Sequence, residues 1–292
     1  TGVGRRSNNL SRIDQPFFTY KSVDLSHTTD LREALIDINA DSIIYCASTH
    51  GPNGFDYLKV ADNTVLVNSY APHVCLNYCR EKNGKCSFMF FSSINVFDHK
   101  LHGTVDANPW LCRKATDLYS RSKMIVEDSI EFYRETYGVP AAVVWLSNHE
   151  SIRRIDSKYF LPFFVNQFCR AIRLREGKIN VRTLDFYCDW GCANQFMEII
   201  FKKSQKENTK DLFIGTGQFV YARDLVKEFL EGLGYDYKSV VLEKFSSDKT
   251  AKIQNYSFNK EWLPNNKTQN NLLGPRAVLA KIYDECISVH IR

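Results

Sequence analysis

Apolar residues in the first half of the chain recur with two different periods. Short runs rich in β-branched and aromatic residues, Phe17–Ser22, Ser42–Cys46, Cys86–Ser92 and Ala141–Leu146, have the length and composition of strands covered on both faces. Between them lie stretches with helical spacing, at about Thr29–Asn39, Pro72–Lys82 and Asp117–Tyr137. Pro72 is read at a first helical turn, where its missing N–H costs nothing, and Asp117 as an N-cap ahead of Leu118, Ile125 and Ile130. Strand and helix in alternation predict an α/β fold built on a doubly wound parallel sheet.

After Leu146 the pattern changes to a loop rich in Asn, His, Glu and Arg, an aromatic segment from Tyr159 to Phe168, and shorter elements to the end. Residues 1–147 are therefore expected to form the sheet domain, and 148–292 a smaller, partly interleaved C-terminal lobe. Asn265–Asn271 reads as a polar loop, and the repeats of a solenoid are absent. The amino end departs from the pattern. A dinucleotide-binding sheet opens with a strand, a glycine-rich turn and a helix. Here Thr1-Gly2-Val3-Gly4 runs straight into Arg5-Arg6-Ser7. The glycines read as the remnant of a phosphate turn, whereas an Arg pair followed by Ser is what would follow the second strand. The first β-α-β unit is thus expected to be incomplete in the chain as written.

Composition narrows the class. The 292 residues are 44% hydrophobic, without a run of apolar residues long enough to span a bilayer. Thr1–Asn9 is polar with no apolar segment after it, so no signal peptide is expected and the protein is placed in the cytoplasm. Nine cysteines, an odd number, read as reduced thiols. The Cys75/Cys79 and Cys188/Cys192 spacings, the first beside His73, fit small buried hydrophobes better than a zinc site, and no metal is expected. A net charge of +5 and a pI of 8.6 fall short of a nucleic-acid-binding domain and suit small anions. Arg170, Arg173 and Arg175 read as a solvated helix face.

The strongest chemical signal is Tyr119-Ser120-Arg121-Ser122-Lys123, downstream of the Ser92-Ser93 pair that closes an apolar strand. Residues four apart share a helix face, so the phenol and ammonium lie together. A phenol with a pKa of ~10 is a poor proton shuttle at neutral pH, and an adjacent cation favours its ionised form. Ser93 is placed to hold the substrate oxygen whose proton Tyr119 moves. The spacing alone is frequent by chance and also fits an exposed tyrosine beside a solvated lysine; the serine pair gives it weight.

These residues bring a family with them. Val67-Asn68-Ser69-Tyr70-Ala71-Pro72, then Ser92-Ser93-Ile94-Asn95-Val96-Phe97-Asp98, then Tyr119 to Lys123 with Glu127, resemble in order and spacing the dTDP-4-dehydrorhamnose reductase family and its relative, the regulatory subunit of methionine adenosyltransferase. Asn148-His149-Glu150-Ser151 with Arg153-Arg154, and Asp189-Trp190-Gly191, resemble instead the GDP-mannose 4,6-dehydratase family. The resemblance runs from Arg5 to about Leu273. Both belong to the extended short-chain dehydrogenase/reductases, the NAD-dependent epimerase/dehydratase group. The resemblance implies a Rossmann-type NAD(P)-binding domain, a substrate-binding lobe, a nucleotide-sugar substrate, and a homodimer or homotetramer.

By the same resemblance Ser93, Tyr119 and Lys123 are catalytic. Gly2, Gly4, Arg5, Arg6, Asp24, Leu25, Ala47, Ser48 and Lys123 are placed at the cofactor, and Ser93, Asn95, Asn148 and Arg153 at the substrate. Arg5 and Arg6 favour NADP over NAD, because they would meet a 2′-phosphate. Bland roles stand beside these: Asp24 capping a turn, Ala47 and Ser48 ending a strand, Asn148 satisfying loop backbone, Arg153 in a solvated pair. The departures bear on function. Asn95 stands where the dehydratases carry a glutamate that helps remove water, and Cys188 where an arginine precedes Asp-Trp-Gly. Ile94-Asn95 and Lys252-Ile253 stand where the reductases carry Asp-Tyr and Arg-Pro. Three readings follow: a reductase of 4-keto nucleotide sugars, an enzyme of the dehydratase type, and a non-catalytic partner-binding member.

Overall fold

A computed structural model describes residues 1–5, 17–51, 55–98, 100–155, 158–174, 177–204, 210–244, 255–258 and 271–290. In chain order the elements are β1 (Gly2–Gly4), β2 (Tyr20–Ser22), α1 (Thr28–Ile38), β3 (Ser42–Tyr45), α2 (Ala61–Val65), α3 (Ala71–Glu81), β4 (Ser87–Ser93), β5 (His102–Val105), α4 (Leu118–Tyr137), β6 (Ala141–Leu146), β7 (Asn148–Glu150), α5 (Phe160–Leu174), β8 (Ile179–Val181), β9 (Tyr187–Cys188), β10 (Trp190–Cys192), α6 (Ala193–Ser204), β11 (Leu212–Ile214), β12 (Val220–Tyr221), α7 (Ala222–Gly232), α8 (Tyr237–Val240), β13 (Val241–Glu243), β14 (Asn255–Phe258) and α9 (Pro275–His290). The chain divides into two compact units. The first is Thr1–Val96, Ala115–Trp145 and Lys202–Leu212; the second is Phe97–Lys114, Leu146–Phe201 and Phe213–Arg292. The chain thus passes between units repeatedly, where its composition predicts one passage after residue 147.

In the first unit β3 and β4 run parallel, Ser42 opposite Ser87 and Tyr45 opposite Phe90, and β4 has β6 on its other side. All of β6, and β4 from Phe88 onward, are buried, which is why these runs are apolar without alternation up to the Ser92-Ser93 pair. β1 and β2 form a second parallel pair, with Gly2 opposite Tyr20 and Gly4 opposite Ser22. Helix α4 begins where Asp117 accepts a hydrogen bond from the Ser120 N–H at 2.7 Å. It ends at Gly138, whose φ of 64° lets its N–H close on the Arg134 carbonyl while the Val139 N–H closes on that of Tyr133.

The second predicted helix is longer than its sequence pattern indicates. Pro72 lies inside a helical run that starts at Ala61, continues through a π turn at Leu66–Tyr70 and passes into α3. A proline has no N–H to give the carbonyl four residues back. The run widens just before it, and the Ala71 N–H bonds to Leu66 O. Cys75 and Cys79 are buried thiols on α3.

The second unit is built from short pairs: β5 with β14, β7 with β10 and β8 with β13, all parallel, and β9 with β12, antiparallel. Its core gathers Phe164 and Phe168 of α5, Trp190 of β10, Leu225 of α7, and Leu279 and Ile282 of α9. Buried Asp189 accepts from the Thr216 N–H at 2.8 Å, the Gly217 N–H at 3.1 Å and the Thr216 hydroxyl. Gly191 is required by packing, since a Cβ there would lie 2.3 Å from the Phe196 ring. Asp-Trp-Gly in this chain is thus an anchor and a close approach.

Glu150, at the end of β7, is 4% exposed. Its Oε2 has no hydrogen-bond partner, and Arg154 Nη1 stands 3.6 Å away. Burial pushes its pKa from 4.5 up to about 7, against the pull of Arg154. A folded pKa above the unfolded one stabilises fully below about pH 4.5, and that contribution disappears as pH rises through about 7. Glu150→Gln is therefore expected to gain stability relative to the wild type between those limits, by up to about 3 kcal/mol at the alkaline end. Thermal unfolding across that range checks it; a difference independent of pH would show that Glu150 does not titrate as described.

Candidate active site

Tyr119 and Lys123 occupy the buried face of α4, one turn apart. Lys123 is 2% exposed. Its Nζ donates to the Phe91 carbonyl of β4 at 2.9 Å and lies 4.7 Å from the Phe90 ring centroid and 5.8 Å from that of Tyr119. Burial lowers its pKa to about 8, with Cys46 and Glu127 pulling the other way, so the ammonium remains charged at neutral pH. Glu127, one turn further along α4, is also buried. It accepts from the Ser92 hydroxyl and from Trp145 Nε1 at 3.1 Å, which pins α4 to β4 and β6. The exposed tyrosine and solvated lysine that the spacing also allowed are not what the fold contains.

Ser93 ends β4, buried, and its Oγ accepts from the Asn95 N–H at 3.2 Å. Asn95 is exposed on the turn Ile94–Val96. Ala47 and Ser48 follow β3, and Ser48 is exposed. Arg5 is exposed directly after β1. Asp24 follows β2 and accepts from the Ser26 N–H at 3.0 Å and hydroxyl at 2.8 Å. Those bonds, with the charge of Arg5, hold its carboxyl below the usual range. Asp24 thus caps a turn, and Leu25 beside it is buried. Arg5, Asp24, Ala47, Ser48 and Ser93 all lie at or just past the carboxyl ends of parallel strands, the edge at which open α/β sheets bind their ligands. Arg5 and Asp24 follow the pair β1–β2, and Ala47, Ser48 and Ser93 the separate sheet that contains β3 and β4.

Gly2 and Gly4 do not form a phosphate turn. They are extended residues of β1, laddered to β2, with the Gly2 N–H on Thr19 O at 2.8 Å and the Val23 N–H on Gly4 O at 2.9 Å. A Cβ on Gly2 would come within 2.9 Å of the Phe18 ring, and one on Gly4 within 3.0 Å of Tyr20 Oη. These glycines make room for aromatic rings. Arg6, Arg175, Lys252-Ile253 and most of Asn265–Asn271 lie outside the described residues. Asn148 and Arg153 belong to the second unit. Asn148 is exposed and donates to Cys188 Sγ at 2.7 Å. Arg153 lines a cavity of about 210 Å³ with Glu150, Asn194 and Lys281.

Three residues without an assigned role complete the first unit's site. Asn68, fully buried on the π turn, accepts from the Thr49 N–H at 2.7 Å and the Ser48 hydroxyl at 3.2 Å. It donates to Thr49 O at 3.2 Å and Ser122 Oγ at 3.1 Å. It therefore ties the loop after β3 to the helix turn between Tyr119 and Lys123. At the end of that loop His50 lies ring against ring with Tyr119, centroids 4.2 Å apart, and its Nδ1 is 2.5 Å from Tyr57 Oη. Asn68 sits within the quoted Val67–Pro72 motif, which was its signal; the sequence carries none for His50 and Tyr57. Asn68→Ala takes the partner from the half-buried Thr49 N–H and C=O and from Ser122, and is expected to cost about 1–3 kcal/mol in chemical denaturation. Ser48→Ala, at an exposed position, should stay within about 0.5 kcal/mol; equal effects would show that the network does not organise the loop.

The GDP-mannose 4,6-dehydratase family model matches residues 3–269. A GDP-mannose 4,6-dehydratase of Yersinia enterocolitica is 27% identical over 256 residues, covering 77% of this chain and 63% of that protein. The chain thus spans less than two thirds of that relative's length. Among solved structures, UDP-glucose 4-epimerase of Thermotoga maritima with UDP-glucose superposes with a TM-score of 0.73 at 15% identity, over 98% of this chain and 90% of that one. RMD of Pseudomonas aeruginosa complexed with NADPH gives 0.69 at 13% identity, over 94% and 93%. The fold is therefore the Rossmann-like α/β fold of the short-chain epimerases and dehydratases, and the chain belongs to the GDP-mannose 4,6-dehydratase family.

Proposed function

We propose that the chain carries the catalytic core of an NAD(P)-dependent oxidoreductase that reduces a 4-keto nucleotide sugar. The observation that carries this reading is the buried Tyr119–Lys123 pair on α4, held against the strand that ends in Ser93. When bound, the nicotinamide cofactor supplies the hydride. Tyr119 gives its proton to the carbonyl oxygen as that oxygen gains negative charge, and Ser93 holds the oxygen by a hydrogen bond. Lys123, still charged at neutral pH, favours the phenolate that remains. Outside the proton transfer, its contact with the cofactor ribose follows from the family resemblance. A homodimer through α3 and α4 belongs to the same reading, supported by the exposed Ile125, Phe132 and Tyr137 along α4 and Tyr70 just before α3.

Dehydration of a GDP-hexose is the second reading, favoured by the family to which the chain belongs. Asn95 stands against it, because an amide does not exchange a proton near neutral pH. Tyr119→Phe should lower turnover by ~10²–10⁴-fold while leaving fold and cofactor affinity intact. Lys123→Met should weaken cofactor binding as well and also lower stability, because it leaves the Phe91 carbonyl and the buried Glu127 without their cation. Reductase turnover that survives Tyr119→Phe would overturn the mechanism. Creation of GDP-mannose dehydration by Asn95→Glu would identify the chain as a dehydratase lacking its carboxylate. Absence of turnover together with a co-purifying protein would favour the partner-binding reading.

Arg5 and Arg6 support a preference for NADP(H), as an exposed cation immediately after β1 is where a 2′-phosphate would be met. Calorimetry is expected to give tighter binding of NADPH than of NADH, with the difference lost in Arg5→Ala. Equal affinities in the unsubstituted protein would remove this preference.

A further inference from the structure

The loop that leaves β3 ends in a small aromatic assembly. His50 packs on Tyr119, centroids 4.2 Å apart and rings tilted by 31°. Tyr57 is stacked at 5.9 Å from Tyr119, and Phe55 meets Tyr57 edge-on at 4.9 Å. Gly51 leaves room for the Phe55 ring, since any Cβ there would fall 2.1 Å from it. His50 is not held by stacking alone. Its Nδ1 meets the Tyr57 hydroxyl at 2.5 Å, while Tyr57 opens a short helical turn, Tyr57–Val60, capped by Asp56 on the Leu58 N–H. On the other side, the neighbouring Thr49 is bonded through both N–H and C=O to Asn68, and Asn68 to Ser122 on α4. The imidazole and the phenol ring it covers are thereby fixed to one hydrogen-bonded frame.

We propose that His50 and Tyr57 are a positioning pair for Tyr119. Tyr57 fixes the plane of the imidazole, and the imidazole, laid against the phenol ring, holds the Tyr119 hydroxyl in line with the substrate oxygen. Lys123 approaches the same phenol ring but is committed to the Phe91 carbonyl. It supplies charge without fixing the rotation of the ring. Two aromatic residues sixty-odd positions earlier in sequence supply that restraint. The pair acts through Tyr119 and so rests on the oxidoreductase reading.

The geometry is tested first without substrate. In histidine-labelled protein, one of the 7 histidines should show carbon-bound ring protons shielded by an aromatic face. Tyr119→Leu should remove that shielding, and unchanged histidine resonances would overturn the contact. Turnover of a 4-keto nucleotide sugar then reads the role. Misplacing a reacting group by about 1 Å can cost ~10²-fold. His50→Ala is expected to lower kcat by roughly 10- to 100-fold with KM for the cofactor and Tm unchanged. His50→Phe, which restores a flat ring, should recover most of the loss, and Tyr57→Phe should fall between. An unchanged kcat in His50→Ala, a loss seen only in KM or Tm, or no recovery in His50→Phe overturns the proposal. Tyr119→Phe run beside them separates the two ideas: if it too retains full turnover, or the wild type has none, the oxidoreductase reading has failed and the pair with it.

Discussion

An ammonium group removed from water must find oxygen, and Lys123 finds it in the carbonyl of Phe91 at 2.9 Å. Burying a cation in this way costs several kcal/mol before any partner repays it, and its lowered pKa records that cost. The position of α4 follows from it. The helix must lie close enough to β4 for a lysine stem to reach the strand backbone. Once it does, Tyr119 one turn earlier shares the buried face of the helix, and Glu127 one turn later reaches Ser92 and Trp145. Two buried charges of opposite sign, a turn apart on one helix, lock the register of α4 on the sheet. An apolar face alone would let the helix slide by a residue at little cost; this one cannot without stranding an ion.

The second constraint comes from a proline. Pro72 deprives the helix before it of one hydrogen-bond donor, and the chain answers with a π turn at Leu66–Tyr70. The wide turn carries Asn68, which holds the loop after β3 on one side and Ser122 on the other, and Ser69, whose hydroxyl donates to the Ser122 carbonyl at 3.0 Å. Such turns recur at functional sites because an extra residue per turn redirects side chains that a regular helix would aim elsewhere. Here it joins the loop after β3 to the helix that bears the phenol. Site geometry and helix irregularity have one cause.

The sheet of the first unit was legible because β4 and β6 carry unbroken apolar runs, Phe88–Phe91 and Ala141–Leu146, and its longest helix is marked at both ends, by Asp117 and Gly138. β3, β4, β6 and α4 were therefore placed within a residue or so. The π turn was not, since a proline reads as a helix start unless the preceding six or seven residues are known to be helical. Gly2 and Gly4 misled for a related reason. Two glycines beside a basic pair look like a phosphate turn, yet here they clear space for Phe18 and Tyr20, a neighbour relation that exists only after β1 and β2 pair. The second unit's strands of two or three residues are too short to show any period. Tyr119 and Lys123 announced themselves by spacing, whereas His50 and Tyr57 meet Tyr119 only through the fold.

The amide at position 95 separates the two chemistries open to this site. Moving a proton between a phenol and a sugar oxygen needs one acid–base group and one cation, and in the proposed reading Tyr119 and Lys123 are that set. Removing a hydroxyl as water needs a further group that can lose and regain a proton near neutral pH. Asn95 cannot serve, although its backbone N–H still organises Ser93. Nor is Glu127 a substitute. Its Oε1 is engaged by Ser92 and Trp145 in the interior, and freeing it would undo the register of α4. In the proposed reading the chain therefore keeps the part of the family's chemistry that depends on the helix and its buried charges, and departs in the part that depended on a carboxylate on an exposed turn, where a change of side chain disturbs no packing.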